Sequence, residues 1–124
     1  MTKSWALRKG DYAGTRERRR AFRAFLAEQG RIDRLATHEL VFGELVTNAV
    51  RYGDEPMWVS VVVDGNALRI QTENRGECFD LDHRLKEEPT STSGRGLRIV
   101  RALADKLTVD LIPAGCRVTA MLPL

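Results

Sequence analysis

Three short stretches carry side chains able to do chemistry together. In HELVFGELVTNAVRYG, Glu44 and Asn48 are four residues apart, so on a helix they stand one turn apart on the same side. A neutral amide oxygen suits Mg²⁺, a hard cation that keeps several of its waters. A carboxylate beside it can hold a metal-bound water or take the proton from an attacking hydroxyl. Taken singly, such a pair is usually a solvated polar face. Asn74-Arg75-Gly76 comes directly after a β-branched segment. Glycine there lets a ligand approach the backbone, and it equally marks a bulge or a strand-end turn. Ser93 to Val100, SGRGLRIV, sets two glycines before a helical stretch. Free N–H groups and the positive end of the helix dipole then converge on Gly94 to Leu97, an arrangement that holds anions. Arg95 is in reach of a phosphate there. Alone, a G-x-G is most often a flexible loop.

The elements that must position these stretches follow from periodicity. Trp5 to Arg8 reads as a short edge strand, cut off by Gly10, Asp11 and Gly14. Ala21, Phe22, Phe25 and Leu26 recur at spacings of three and four, predicting a helix over Thr15 to Glu28 that Gly30 ends. Asp33 is the expected N-cap of a second helix reaching about Tyr52, closed by Gly53. Leu35, Phe42, Val46 and Ala49 share its apolar stripe. Met57 to Val63 and Ala67 to Thr72 read as strands joined at Asp64-Gly65-Asn66, a turn whose two central positions suit φ > 0.

Glu77 to Ser93 has no period and reads as a long loop with at most one helical turn. Loops of that length in small domains are more often functional lids than accidents. Gly96 to Asp105 is a short helix with Leu97, Val100 and Leu103 on one side. Leu107 to Ile112 and Cys116 to Leu122 are strands, turned at Pro113 to Gly115. The order β-α-α-β-β-loop-α-β-β predicts an α/β (α+β) two-layer sandwich over residues 1–124. Its sheet is mostly antiparallel and its helices lie on one face.

Composition narrows the function. At 124 residues the chain fits one domain able to fold without a disulfide or structural metal. Apolar residues are 43% and charged residues 30%, with net charge +3. That is an ordinary globular balance, too mild to indicate nucleic acid. Two Trp, two Tyr and four Phe leave no basic-aromatic surface for single strands. No apolar run approaches a membrane span, and the start has no signal-peptide core, so a cytoplasmic location is expected. Cys78 and Cys116 have no zinc-site spacing and read as small buried hydrophobes in a reducing compartment.

In this order and context the stretches become recognisable. The chain resembles the GHKL ATP-binding superfamily of gyrase-type topoisomerases, the heat-shock chaperone of ninety kilodaltons, histidine kinases and anti-sigma-factor serine kinases. ELVTNAVRYG looks like its Asn-bearing box, SGRGLRIVRALAD like its second glycine box, and GCRVTAMLPL like its closing strand, GTxVxxxLPL. The resemblance runs from about Arg18 to Leu124. It is nearest to the small anti-sigma-factor kinases, given the short first strand, the arginine-bearing helix before the Asn box and the lack of a helical phosphoacceptor domain.

The resemblance implies a Bergerat-type fold with ATP and Mg²⁺ as cofactors. Glu44 resembles the general base and Asn48 the Mg²⁺ ligand. Gly76 resembles the glycine under the adenine, and Gly94, Arg95 and Gly96 the phosphate-contacting end of the lid. Arg51, Asn74, Cys78, Ser93, Leu97 and Thr119 complete the nucleotide contacts that it implies. The expected reaction is γ-phosphoryl transfer from ATP to a protein serine or threonine. The expected partners are a STAS-type anti-anti-sigma protein, a sigma factor or both, with a homodimer allowed and no direct nucleic-acid or membrane contact.

The chain departs from the superfamily in its first glycine box, DxGxG, where Asn74, Gly76 and Cys78 stand. An amide still accepts and donates hydrogen bonds, but a charged acceptor bonds about twice as strongly, so weaker ATP binding is expected. Cys78 adds a side chain that narrows the pocket. His38, six residues before Glu44, reads as a structural or surface histidine rather than a phosphoacceptor. Arg16, Arg19, Arg20 and Arg23 share one side of the first helix, as a solvated basic face or as a docking surface for an acidic partner. Two other readings stay open. One is a non-catalytic module in which nucleotide only sets the lid; the other is the detached ATP-binding half of a histidine kinase.

Overall fold

The computed structural model describes residues 1–86 and 95–124. The elements run β1 (Thr2–Leu7), α1 (Tyr12–Glu28), α2 (Leu35–Tyr52), β2 (Met57–Asp64), β3 (Ala67–Asn74), α3 (Leu81–Lys86), α4 (Arg95–Leu103), β4 (Lys106–Ile112) and β5 (Gly115–Pro123). The strands form one sheet in the order β1-β2-β3-β5-β4, every pair antiparallel. The architecture is therefore the two-layer α+β sandwich read from the sequence.

Strict alternation drives the sheet. Along β5, Cys116, Val118, Ala120 and Leu122 are buried while Arg117, Thr119 and Met121 are half-exposed. Val59 and Val61 of β2 and Leu68, Ile70 and Thr72 of β3 face the same layer. Each fully buried aliphatic side chain contributes roughly 1.5–3 kcal/mol. On the opposite face the partners are polar. Ser4 and Ser60 hydroxyls are 2.9 Å apart, Thr119 donates to Gln71 Oε1 at 3.2 Å, and Arg117 pairs with Glu73 at 2.9 Å.

The helix α2 lies across the buried face, with α1 on one flank and α4 on the other. Its apolar surface is wider than the single predicted stripe. His38, Val41, Leu45 and Val50 are buried along with Phe42, Val46 and Ala49, because three neighbours surround it. Phe42 stacks on Phe22 of α1 with centroids 4.3 Å apart, and meets Trp5 of β1 edge-on at 5.6 Å. In the second half of α2 a polar strip carries Glu44, Thr47 and Asn48, all partly exposed.

Several local expectations change. The first helix starts earlier, because the Asp11 carboxylate caps it by accepting from the Gly14 N–H at 3.0 Å. Asp33 does not cap α2; Arg34 holds that position with no side-chain bond. In the β2–β3 turn only Gly65 has positive φ, +60°, so the turn has the pattern of type II′ rather than two left-handed residues. The loop after β3 contains the short helix α3, and Leu103 of α4 is exposed rather than packed.

Candidate functional site

The polar strip of α2 and the end of β3 meet at one cavity of about 430 Å³. Asn48 and Ala49 form its α2 wall, Thr72 and Asn74 its β3 wall, and Val118 of β5 its floor. Beyond β3 the wall continues through Glu77, Cys78 and Phe79. The far rim is Arg84 of α3, whose guanidinium lies 4.3 Å from the Phe79 ring centroid and 5.0 Å from that of Tyr52. These are cation–π distances.

Asn48 presents its amide to this cavity, and among the described residues no hydrogen bond engages it. That neutral oxygen fits a Mg²⁺ ion held mainly by phosphate oxygens and water, which needs only one or two protein ligands. No cluster of His, Cys, Asp and Glu able to hold a metal alone occurs among the described residues. One turn earlier, the Glu44 carboxylate faces the start of α4, where a β-carbon on Gly96 would come within 2.6 Å of Oε2. A helix N-terminus favours negative charge, so the carboxylate sits where the backbone of α4 is electropositive.

Asn74 is committed on one side. Its Oδ1 accepts from the Gly76 N–H at 2.6 Å and from the Asp54 N–H at 3.4 Å. Two donors on one oxygen fix the amide, so Nδ2 remains as its free polar group. The sequence reading let this oxygen accept from a ligand; the structure assigns it to the backbone. Gly76 thus positions Asn74 and is not itself in the cavity wall.

The remaining predicted site residues divide. Arg95 is exposed at the first turn of α4, with Gly96 beside it. Leu97 is 3% exposed and belongs to the core, so only its backbone faces that turn. Arg51 points along the helix surface, 5.7 Å from the Tyr52 ring, outside the cavity wall. Thr119 is on the open face of the sheet, bonded to Gln71. A one-residue step in a strand reverses the face; its neighbour Val118 reaches the cavity instead. Ser93 and Gly94 lie outside the described residues. Tyr52, Asp54, Thr72, Phe79 and Arg84 were missed, and only the strand alternation that buries Thr72 signals any of them in the sequence.

The two cysteines are not separate. Cys78 and Cys116 form a disulfide, Cα atoms 4.8 Å apart, which corrects the reading of two isolated buried thiols. His38 is structural: it is 1% exposed and its Nε2 donates to the Pro123 carbonyl at 2.8 Å. The basic face of α1 is smaller than its sequence suggests. Arg23 makes a two-pronged ion pair with Glu39, and Arg19 packs against Gly43 of α2.

Residues 10–122 match the family model of the histidine kinase-like ATPase domain. With its sandwich, its Asn-bearing central helix and its cavity, the chain belongs to that family. Among solved structures it is similar to the histidine kinase domain of the blue-light-activated histidine kinase EL346 from Erythrobacter litoralis. That likeness is 25% in identity with a TM-score of 0.52, and covers 73% of this chain and 44% of the other. The chain therefore spans less than half the length of that relative. No curated protein matches it. No helix among the described residues is long and apolar enough to cross a membrane.

Proposed function

We propose that the chain is an ATP- and Mg²⁺-dependent protein serine/threonine kinase of the anti-sigma-factor type. Its substrate is a STAS-type anti-anti-sigma protein, and its second partner is a sigma factor that it sequesters. The observation that carries this reading is the pairing of Glu44, against the start of α4, with Asn48, one turn on in the cavity wall. Asn48 would hold Mg²⁺, which when bound would neutralise charge on the transferring phosphates. Glu44 takes the proton of the attacking serine hydroxyl as its oxygen bonds the γ-phosphorus and ADP leaves. Arg95 and the N–H groups of the first turn of α4 stabilise the phosphate oxygens. Positioning and electrostatics carry most of such a reaction.

Transfer of ³²P from ATP to a serine of an anti-anti-sigma protein, lost in Glu44→Gln, tests the proposal. Absence of transfer from a preparation that binds ATP would refute it.

A second reading, a non-catalytic module whose partner binding is gated by nucleotide, is favoured by Asn74. Its oxygen is held by Gly76 and Asp54, which leaves a donor where adenine's amino group also donates. Nucleotide-dependent partner binding with no phosphate transfer would select it. Acid-labile phosphate on a partner histidine would select the detached histidine-kinase half instead.

A further inference from the structure

We propose that Cys78–Cys116 is a reversible thiol–disulfide exchange site whose state sets how firmly the cavity wall at residues 77–79, and the loop 75–77 that leads into it, are held. The cysteines are 38 residues apart in sequence, and two separate features bring them together. In the sheet Cys116 is paired with Asn74, the last residue of β3. The chain then leaves the sheet and, four residues on, Cys78 returns to bond the residue opposite the point of departure. The bridge therefore closes residues 75–77 into a small loop anchored on β5. Glu77, Cys78 and Phe79 all line the cavity, so the cross-link holds one wall of it.

Accessibility is asymmetric in the way exchange requires. Cys116 is 1% exposed, whereas Cys78 is half-buried at the cavity rim. An external thiolate attacks the Cys78 sulfur, the Sγ–Sγ bond breaks, and Cys116 leaves as a thiolate that takes up a proton. A second external thiol resolves the mixed disulfide, releasing the oxidised external disulfide and the Cys78 thiol. Two external thiols are oxidised and one protein disulfide is reduced. The reverse consumes a small-molecule disulfide of the glutathione class. Where thiols are kept reduced, disulfides that form are mostly transient or redox-sensing. A half-buried bridge on a ligand cavity fits that class better than a structural one in the core.

The bridged form holds the wall preformed, so less ordering accompanies ligand binding. The consequence for nucleotide affinity rests on the proposed function; the exchange itself does not. The full chain is equilibrated in glutathione/glutathione-disulfide mixtures, and its thiols are trapped by alkylation and counted by mass spectrometry. Amide hydrogen exchange is then followed at residues 75–79 in each state without nucleotide, and ATP affinity is measured separately. Reversible conversion between zero and two thiols is expected, with exchange at 75–79 about tenfold faster when reduced and ATP binding several-fold weaker. The Cys78→Ala/Cys116→Ala variant is expected to match the reduced protein and to ignore the glutathione ratio. Two thiols at every ratio, or unchanged exchange at 75–79 between the two states, would overturn the inference. If those residues respond but ATP binds in neither state, the redox site stands and the nucleotide reading falls.

Discussion

The Glu44 carboxylate and Gly96 are in contact across the α2–α4 junction, so closely that a β-carbon on Gly96 would come within 2.6 Å of Oε2. Glycine is needed here for room, and the group it makes room for is the flexible end of a side chain. Gly96→Ala is therefore expected to fold with little change in Tm, because the carboxylate swings aside. In the proposed reaction Glu44 is the general base, and displacing such a group by an ångström or more costs about a hundredfold in turnover. Phosphotransfer by Gly96→Ala is expected to fall by about that factor, while ATP affinity changes less than threefold. A drop in kcat no larger than twofold would show that Glu44 is not placed by this contact.

The Asn74 amide is oriented by the Gly76 and Asp54 N–H groups. Asn74→Asp keeps one oxygen on those donors and turns the second into a charged acceptor. Hydrogen bonds to charged groups contribute about 1.5–3 kcal/mol. ATP binding is expected to tighten by roughly tenfold, about 1.4 kcal/mol. Wild type, which presents a donor, is expected to bind ITP, with its keto oxygen, at least as well as ATP. The aspartate variant is expected to reverse that order. Calorimetric titration of both nucleotides into both proteins settles it, and an unchanged ratio would remove Asn74 from the base contact.

How much of this was legible in the sequence depends on the range of each interaction. Strand alternation and the 3.6-residue period are local, so eight of the nine elements emerged in order, and α3 was read as part of a loop with at most one helical turn. Glu44 and Asn48 were legible because one helix positions both. Thr119 was misplaced because a strand face flips at every residue, and a motif match does not settle which of two neighbours turns inward. The disulfide was illegible because it depends on the β3–β5 register, which pairs Asn74 with Cys116. Arg84 and Tyr52 face the cavity only through packing of α3 on the end of α2, for which no periodic pattern exists.

The Asp11 cap gives the first helix a pH dependence. The Gly14 N–H bonded to its carboxylate, then the nearby Arg18 and Arg8, hold its pKa below the usual value of 3.8, against the opposing effect of burial. A depressed carboxylate pKa stabilises the fold above the unfolded-state value, and that stabilisation is lost as pH falls through the folded-state value. Wild type is thus expected to gain stability over Asp11→Ala above about pH 4. The difference in Tm should shrink towards lower pH. A Tm gap that stays constant from pH 7 to pH 3 would show that capping by this charge is not what starts α1.

His38 lies on the same helix as Glu44, yet its surroundings exclude a phosphoacceptor role. It is 1% exposed, and its Nε2 donates to the Pro123 carbonyl 2.8 Å away. That bond ties the first half of α2 to the end of β5, 85 residues further along the chain. Replacing His38 by Ala opens a cavity and leaves the Pro123 carbonyl short of a donor. Together these cost about 2–4 kcal/mol. Urea unfolding is expected to show that loss, with kcat for phosphotransfer at 10 °C below the new Tm kept within about threefold. If His38→Ala instead left stability intact and abolished phosphate transfer, the imidazole would be a chemical participant, and the assignment of the reaction to a serine or threonine hydroxyl would have to be withdrawn.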